Sequence, residues 1–316
     1  MDIMKAVVYN KKVLPDKLVY CDVEKPIPND NEVLVNIIAV SVNAADYRSM
    51  KMGLIPKKKI FGADIVGKVE SIGKSISQYK PGDEVIGDLA DYGFGGFAEY
   101  ALAPEKLLVH KPANISFEDA AALPMAALTA LQALRDKGSI QKGHKVLIIG
   151  SGGGVGTFAV QLAKYFDATV TAVCSTKNVE QTSSLGADYV IDYTKENFTK
   201  TDKSYDIILA INGNYPLLAC KRILNPKGIY VMVGGALSQI FKSILFGWMM
   251  SFGTKKIRFL AAKSNQKDLE YIVTLANDGK IKPIIDKHFP LDKTVEAFRY
   301  LGEGHTGGKV VINVQR

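Results

Sequence analysis

Cysteine is scarce in this chain: three in 316 residues, Cys21, Cys174 and Cys220, far apart and without a C-x-x-C pair. Neither a disulfide framework nor a four-thiolate zinc lobe can be assembled from them, and a reducing compartment is the natural home. Histidine is almost as scarce; His110, His144, His288 and His305 show no paired ligand spacing. The start, MDIMKAVVYNKK, lacks the long apolar core behind a basic flank that a secretion signal needs, so the cytoplasm is the expected location. No uninterrupted apolar run reaches the roughly 18 residues of a membrane span. The most apolar stretch, ALSQIFKSILFGWMMSFGTKK at 236–256, is broken by Lys242 and is expected to pack within the protein or against a second subunit; a membrane-surface contact is its other use.

Turning to what is present, 40 Lys and Arg against 32 Asp and Glu leave a net charge of +8. The excess is scattered, and its one dense run, KKK at 57–59, has no interleaved aromatics, which argues against a nucleic-acid partner. An anionic cofactor suits the same charge. At 47% hydrophobic and 23% charged the chain can bury a large core, and its length fits two domains.

Residues 1–122 run as short alternating or apolar segments broken by turn residues (KAVVY, LVYCDV, EVLVNIIAVSV, DIVGKVESIG, GGFAEYALA), the texture of a β domain. From 123 to 262 apolar strands (KVLIIG, TVTAV, YVIDY, YDIILAI, GIYVMVGG) alternate with helical patterns at 155–166, 178–185 and 215–224, the rhythm of a doubly wound parallel sheet in the α/β class. After 263, Leu269, Ile272, Val273 and Ala276 mark a helix face, and GKVVINV reads as a strand that returns to the first domain. The expected organisation is therefore 1–122 with 263–316 as one domain and 123–262 as the other, with a cleft between.

The stretch GSGGGVG at 150–156 places five glycines in seven residues, after an apolar strand and before a helix whose apolar face is Val155, Ala159, Leu162, Ala163 and Phe166. A strand that enters a glycine turn and then a helix presents backbone N–H groups at a positive helix end, where a diphosphate can approach without meeting side chains. At the end of the next strand, VCSTKN offers Ser175, Thr176, Lys177 and Asn178 in place of the carboxylate that binds an unphosphorylated ribose. That favours NADPH over NADH, and Tyr193 after the third strand is a second candidate phosphate contact.

With these residues in hand, the chain resembles the medium-chain dehydrogenase/reductase superfamily, in its zinc-free branch of quinone oxidoreductases and NADPH-dependent alkenal/enone reductases. The likeness runs through SVNAADYR, FGADIVGKVESIGKSISQYKPGDEV, GGFAEYALAP, AAALPMAALTALQAL, GSGGGVGTFAVQLAK, LGADYVIDY, GKIKPIID and GHTGGKVVINV, and so covers nearly the whole chain. It implies a GroES-like β domain completed by the C-terminal segment, a Rossmann domain, and a homodimer. Zinc alcohol dehydrogenases of the superfamily carry cysteine where Asn43 stands and Gly-His-Glu where this chain has Gly62, Ala63 and Asp64. Amide and methyl do not replace thiolate and imidazole, so no metal is expected. Without a Lewis acid an alcohol is a poor hydride donor, and the expected reaction is reduction of an acceptor that is already electrophilic, a quinone or an α,β-unsaturated carbonyl.

By the same resemblance Asn43, Tyr47 and Arg48 line the nicotinamide and acceptor end, with Tyr47 a candidate proton donor. Thr129 lies on the nicotinamide side, and Gly153, Gly154 and Val155 touch the diphosphate. Ser175, Thr176, Lys177 and Tyr193 meet the 2′-phosphate, and Ile211, Val233 and Gly234 lie beside the nicotinamide ribose. A turn-stabilising asparagine, a packing tyrosine and a threonine bonded to its own helix are the structural alternatives. AINGN at 210–214 departs from the family's D-x-x-G, with Ala210 at the aspartate and Asn212 as a new amide. Two other functions share the same residues: an NADPH-binding redox sensor or structural protein with little turnover, and an enoyl-thioester reductase using KKK for the carrier phosphates.

Overall fold

A computed structural model describes residues 2–9, 18–53, 56, 58–212, 215–234, 254–304 and 306–315. Most of the apolar segment 236–256, Lys57 of the KKK run and His305 lie outside them. The chain divides into two compact units, Met1–Leu128 with Lys263–Arg316, and Thr129–Ala262.

In the first unit β1 (Ile3–Tyr9) and β2 (Leu18–Glu24) form an antiparallel hairpin. The spine is β3 (Glu32–Val42), buried along almost its whole length and followed by α1 (Ala44–Lys51). Antiparallel to β3 lie β4 (Asp64–Ile72) and β6 (Tyr100–Pro104). β5 (Glu84–Asp88) and β7 (Leu108–His110) extend the sheet beyond β4. α2 (Phe117–Ala122) starts at Ser116, whose hydroxyl accepts the Asp119 N–H, and α3 (Pro124–Gln132) follows with proline at its first position. The boundary between the units falls inside α3.

The second unit is βα-alternating: β8 (Lys145–Ile149), α4 (Gly154–Tyr165), β9 (Thr169–Cys174), α5 (Val179–Ser184), β10 (Tyr189–Asp192), β11 (Tyr205–Ala210), α6 (Leu217–Arg222), β12 (Leu224–Met232) and β13 (Lys256–Phe259). All six strands are parallel, in the order β10-β9-β8-β11-β12-β13, the doubly wound Rossmann arrangement. Val146 to Ile149 are all buried, because helices cover both faces of such a sheet and its strands read as continuous apolar runs. Two expected helices come out shorter. Thr176–Asn178 is a tight 3-10 turn ahead of α5, and α6 stops at Arg222 because Leu224 already pairs in β12, opposite Tyr205.

The chain then rejoins the first unit through α7 (Gln266–Asn277), β14 (Ile285–Pro290), α8 (Thr294–Gly302) and β15 (Lys309–Asn313). The last strand is interior: β15 lies between β14 and β3, parallel to the first and antiparallel to the second. Phe298 of α8 meets Phe97 edge to face at 5.5 Å, both fully buried, which ties the returning segment into the β core. Among the described residues no helix is long and apolar enough to cross a membrane, and the three cysteines are free thiols.

Candidate functional site

The predicted residues fall into two sets, one in each unit. In the second, the chain leaves β8 through Gly150 at φ 86°, a left-handed conformation that favours glycine. The Gly150 and Ser151 N–H groups both donate to the Val173 carbonyl, at 3.0 and 3.1 Å, which pins the turn to β9. A Cβ on Gly156 would stand 2.2 Å from the Gly150 carbonyl oxygen, so the first turn of α4 lies flush on the loop. Gly153 is different: its missing Cβ would meet nothing closer than 4.0 Å. Gly153, Gly154 and Val155 are the partly exposed members of the turn, whereas Gly152 and Gly156 are buried. The first N–H groups of α4 have no acceptor within the helix, and no acidic residue stands in its first turn. Backbone donors at a helix start, beside a Gly153 that leaves open space where a Cβ would stand, fit a diphosphate.

At the ends of β9 and β10, parallel pairing places Asp192 beside Cys174, and the Tyr193 N–H donates to the Cys174 carbonyl at 3.0 Å. Ser175, Thr176, Lys177 and Tyr193 are thereby neighbours, the last three exposed. Reading along one strand finds no carboxylate here; the neighbouring strand supplies one, and that expectation is corrected. The Asp192 carboxylate accepts from the Thr176 hydroxyl at 2.6 Å, and from the hydroxyl and N–H of Thr194 at 2.7 and 3.0 Å. Lys195 stands 3.6 Å away. These donors, Thr176 first, hold the carboxyl down to about 2. The single hydroxyl hydrogen of Thr176 is thus committed to Asp192, and Ser175, Lys177 and Tyr193 carry further side-chain donors at these strand ends.

At the carboxyl ends of the central strands, the Ile211 N–H donates to the Ile149 carbonyl at 3.0 Å, and those of Val233 and Gly234 to Ala210 at 2.9 and 3.2 Å. These residues gather where strand order reverses between β8 and β11, the place where such sheets take ligands. Asn212, the departure from the family pattern, packs its Cβ 3.0 Å from where a side chain on Gly150 would begin. Thr129 is half-buried on α3.

In the first unit Asn43 is the N-cap of α1, and Asp46 closes a capping box on it, accepting the Asn43 N–H at 2.9 Å. Tyr47 and Arg48 follow on the same helix. The Tyr47 ring packs against α8, its hydroxyl 3.1 Å from where a Cβ on Gly302 would stand, and burial lowers the Arg48 guanidinium from its ordinary value. Around Asn43 lies a buried polar cluster. Asp64 Oδ2 accepts from Ser41 Oγ at 2.5 Å, Asn43 Nδ2 at 2.9 Å and Lys309 Nζ at 3.3 Å, while its Oδ1 accepts the Met125 N–H at 2.9 Å. Lys309 Nζ also donates to Asn43 Oδ1 at 2.6 Å. Sequence reading missed Lys309 and Asp192; for Lys309 the available signal was a charged residue heading the otherwise apolar strand KVVIN.

Two further carboxyls sit in this cluster. Burial, reinforced by the charge of Asp64, pushes Asp46 and Asp88 each up to about 7, against the N–H donors of Asn43 and Gly62 on Asp46 and of Ala90 on Asp88. Their pKa values are about 4 in the unfolded chain. The folded state therefore binds more protons between roughly pH 4 and 7, and stability falls as pH rises through that window. Urea unfolding from pH 5 to pH 7.5 is expected to show a decline that is shallower in Asp46→Asn and shallower still in Asp46→Asn with Asp88→Asn. An unchanged slope in both would contradict the assignment.

Known proteins resemble this chain over nearly its whole length. Residues 29–113 match the family model of the alcohol dehydrogenase GroES-like domain and residues 185–312 that of the zinc-binding dehydrogenases. The chloroplast envelope quinone oxidoreductase homolog of Arabidopsis thaliana is 34% identical over 310 residues, 93% of each chain. The NADPH-dependent alkenal/one oxidoreductase of the same plant, chloroplastic, is 32% identical over 98% of this chain and 79% of its own. The quinone oxidoreductase of Coxiella burnetii superimposes with a TM-score of 0.90 at 28% identity, over 99% of this chain and all of that one. With the GroES-like and Rossmann parts both matched and relatives spanning nearly its full length, the chain belongs to the medium-chain dehydrogenase/reductase family, in the branch of the quinone oxidoreductases and alkenal/enone reductases.

Proposed function

We propose that this protein reduces a quinone or an α,β-unsaturated carbonyl with NADPH and without zinc. The observation that carries the reading is the Asn43–Asp64–Lys309 cluster: at positions where zinc relatives hold the metal, an amide and a carboxylate bond to each other and to an internal ammonium, and Ala63 has no donor atom. When bound, NADPH supplies the hydride. Gly153, Gly154 and Val155 receive its diphosphate on backbone N–H groups. Ser175, Lys177 and Tyr193 hold the 2′-phosphate, and Thr129, Ile211, Val233 and Gly234 border the nicotinamide end.

Asn43 presents an amide hydrogen to the acceptor oxygen as negative charge grows there, with Tyr47 and Arg48 following it on α1. Residues 1–122 with 263–316 form the catalytic part and 123–262 the cofactor-binding part, in a cytoplasmic homodimer. Relatives with chloroplast names support the chemistry and leave the compartment to the reducing environment that three free thiols favour.

The test is the fall of NADPH absorbance at about 340 nm, the band of a reduced nicotinamide, on adding a small quinone, an alkenal or an enoyl thioester. Quinone or alkenal turnover unaffected by chelators is the expected result. Tight NADPH binding with no turnover, or turnover of the thioester alone, would replace the reading with a sensor or a thioester reductase.

A further inference from the structure

Lys309 heads β15, and its side chain is only 3% exposed, at the Asn43–Asp64 pair. An ammonium only donates and a carboxylate only accepts, so the chemistry of its neighbours fixes the Asn43 amide: carbonyl to Lys309 at 2.6 Å, NH₂ to Asp64 at 2.9 Å. One hydrogen of that NH₂ goes to Asp64. The amide has one more hydrogen to give. Hydrogen bonding alone gives no reason for a lysine here, because Asp64 already receives Ser41, Asn43 and the Met125 N–H. Burying an ammonium is costly, and the surplus it brings is charge and a fixed amide.

We infer that Lys309 is a positioning residue for the reduction: it locks the Asn43 amide with its second N–H available and, through that amide, offsets the negative charge that develops on the acceptor oxygen. The electrostatic part a metal plays in the zinc relatives is taken here by an ammonium carried on the last strand, with no ligand exchange. The inference rests on the acceptor oxygen meeting Asn43, as proposed above.

The experiment compares wild type, Lys309→Met, Lys309→Arg and the double variant Lys309→Met with Asp64→Asn, which removes both buried charges together. With NADPH and 1,4-naphthoquinone, Lys309→Met is expected to lower kcat about 100-fold, the cost of one lost oxyanion-stabilising group. Its KM for NADPH should stay close to wild type. Lys309→Arg is expected to recover part of kcat, and the double variant to fold as judged by circular dichroism yet remain slow. A folded Lys309→Met or double variant with wild-type kcat would overturn the inference.

A second readout needs no turnover. Titration of 4-nitrophenol by absorbance should show wild type binding the phenolate in preference to the phenol, and Lys309→Met losing that preference. Wild type without it would overturn the inference as well. Should wild type reduce neither quinones nor enones, the proposed function fails, and the phenolate titration still decides the part played by Lys309.

Discussion

Asp64→Ala is expected to destabilise the protein by about 3–5 kcal/mol, the usual cost of breaking a buried ion pair from one side. Asp64 is fully buried and its two oxygens take four donors from four separate segments: Ser41 on β3, Asn43 at the start of α1, Met125 on α3 and Lys309 on β15. Truncation removes Asp64 from the two acceptors that the buried Lys309 ammonium meets, leaving the Asn43 carbonyl, and takes away the acceptor of the Met125 N–H. Asp64→Asn should cost less, since the amide keeps one oxygen, although its NH₂ then faces other donors. Adding Lys309→Met to Asp64→Ala should restore part of the loss, because the stranded charge leaves with it. Urea unfolding monitored by circular dichroism at pH 7.5 measures all three. A loss below about 1 kcal/mol for Asp64→Ala would show that the cluster is solvated rather than buried.

Lys177→Ala is expected to raise the Kd for NADPH about 10- to 100-fold while leaving NADH nearly unchanged, as for the loss of one charge-assisted hydrogen bond to phosphate. The reason lies partly in Asp192. That carboxylate stays charged, held by Thr176 and Thr194, and it stands at the end of β10 next to the turn that carries Lys177. An anionic 2′-phosphate entering here meets the Asp192 carboxylate, itself paired with Lys195 at 3.6 Å, and without Lys177 the site loses one of its cationic groups. Fluorescence titration of the two cofactors gives both constants. Equal weakening of both would mean that Lys177 serves the loop and not the phosphate.

What could be read from the chain alone was what depends on neighbours in sequence. Gly150 and Gly156 are required by a turn of seven residues, so the strand, the glycine loop and the helix after it are visible as one string. The return of KVVIN to the first unit was legible too, because a β-rich unit accepts an extra strand more readily than a parallel sheet closed by helices. The two charged groups that reshape the candidate site are different. Lys309 meets Asp64 across 245 positions, and its partner is set by the register of β15 on β3. Asp192 reaches Thr176 through the pairing of β10 with β9, so a search for a carboxylate along the β9 strand end passes it by. Family motifs carried the identities of Asn43 and Gly153 but not this wiring, since a motif records residue types and not which side chains meet.

The interior placement of β15 bears on how the protein is made. The second unit is contiguous and can fold as soon as its own residues emerge from the ribosome, whereas in the first the Ala39–Val42 edge of β3 waits for β15 until residue 313 has been added. At about 5–20 residues per second that interval is on the order of 10–40 s after residue 128. Throughout it the nascent chain carries an unpaired edge of four residues at the end of β3, Ala39 to Val42, and an Asp64 without its counter-ion, the form in which it most needs a chaperone. The same lysine that sets the charge beside Asn43 thus arrives 245 positions after Asp64, and the candidate catalytic centre is incomplete until it does.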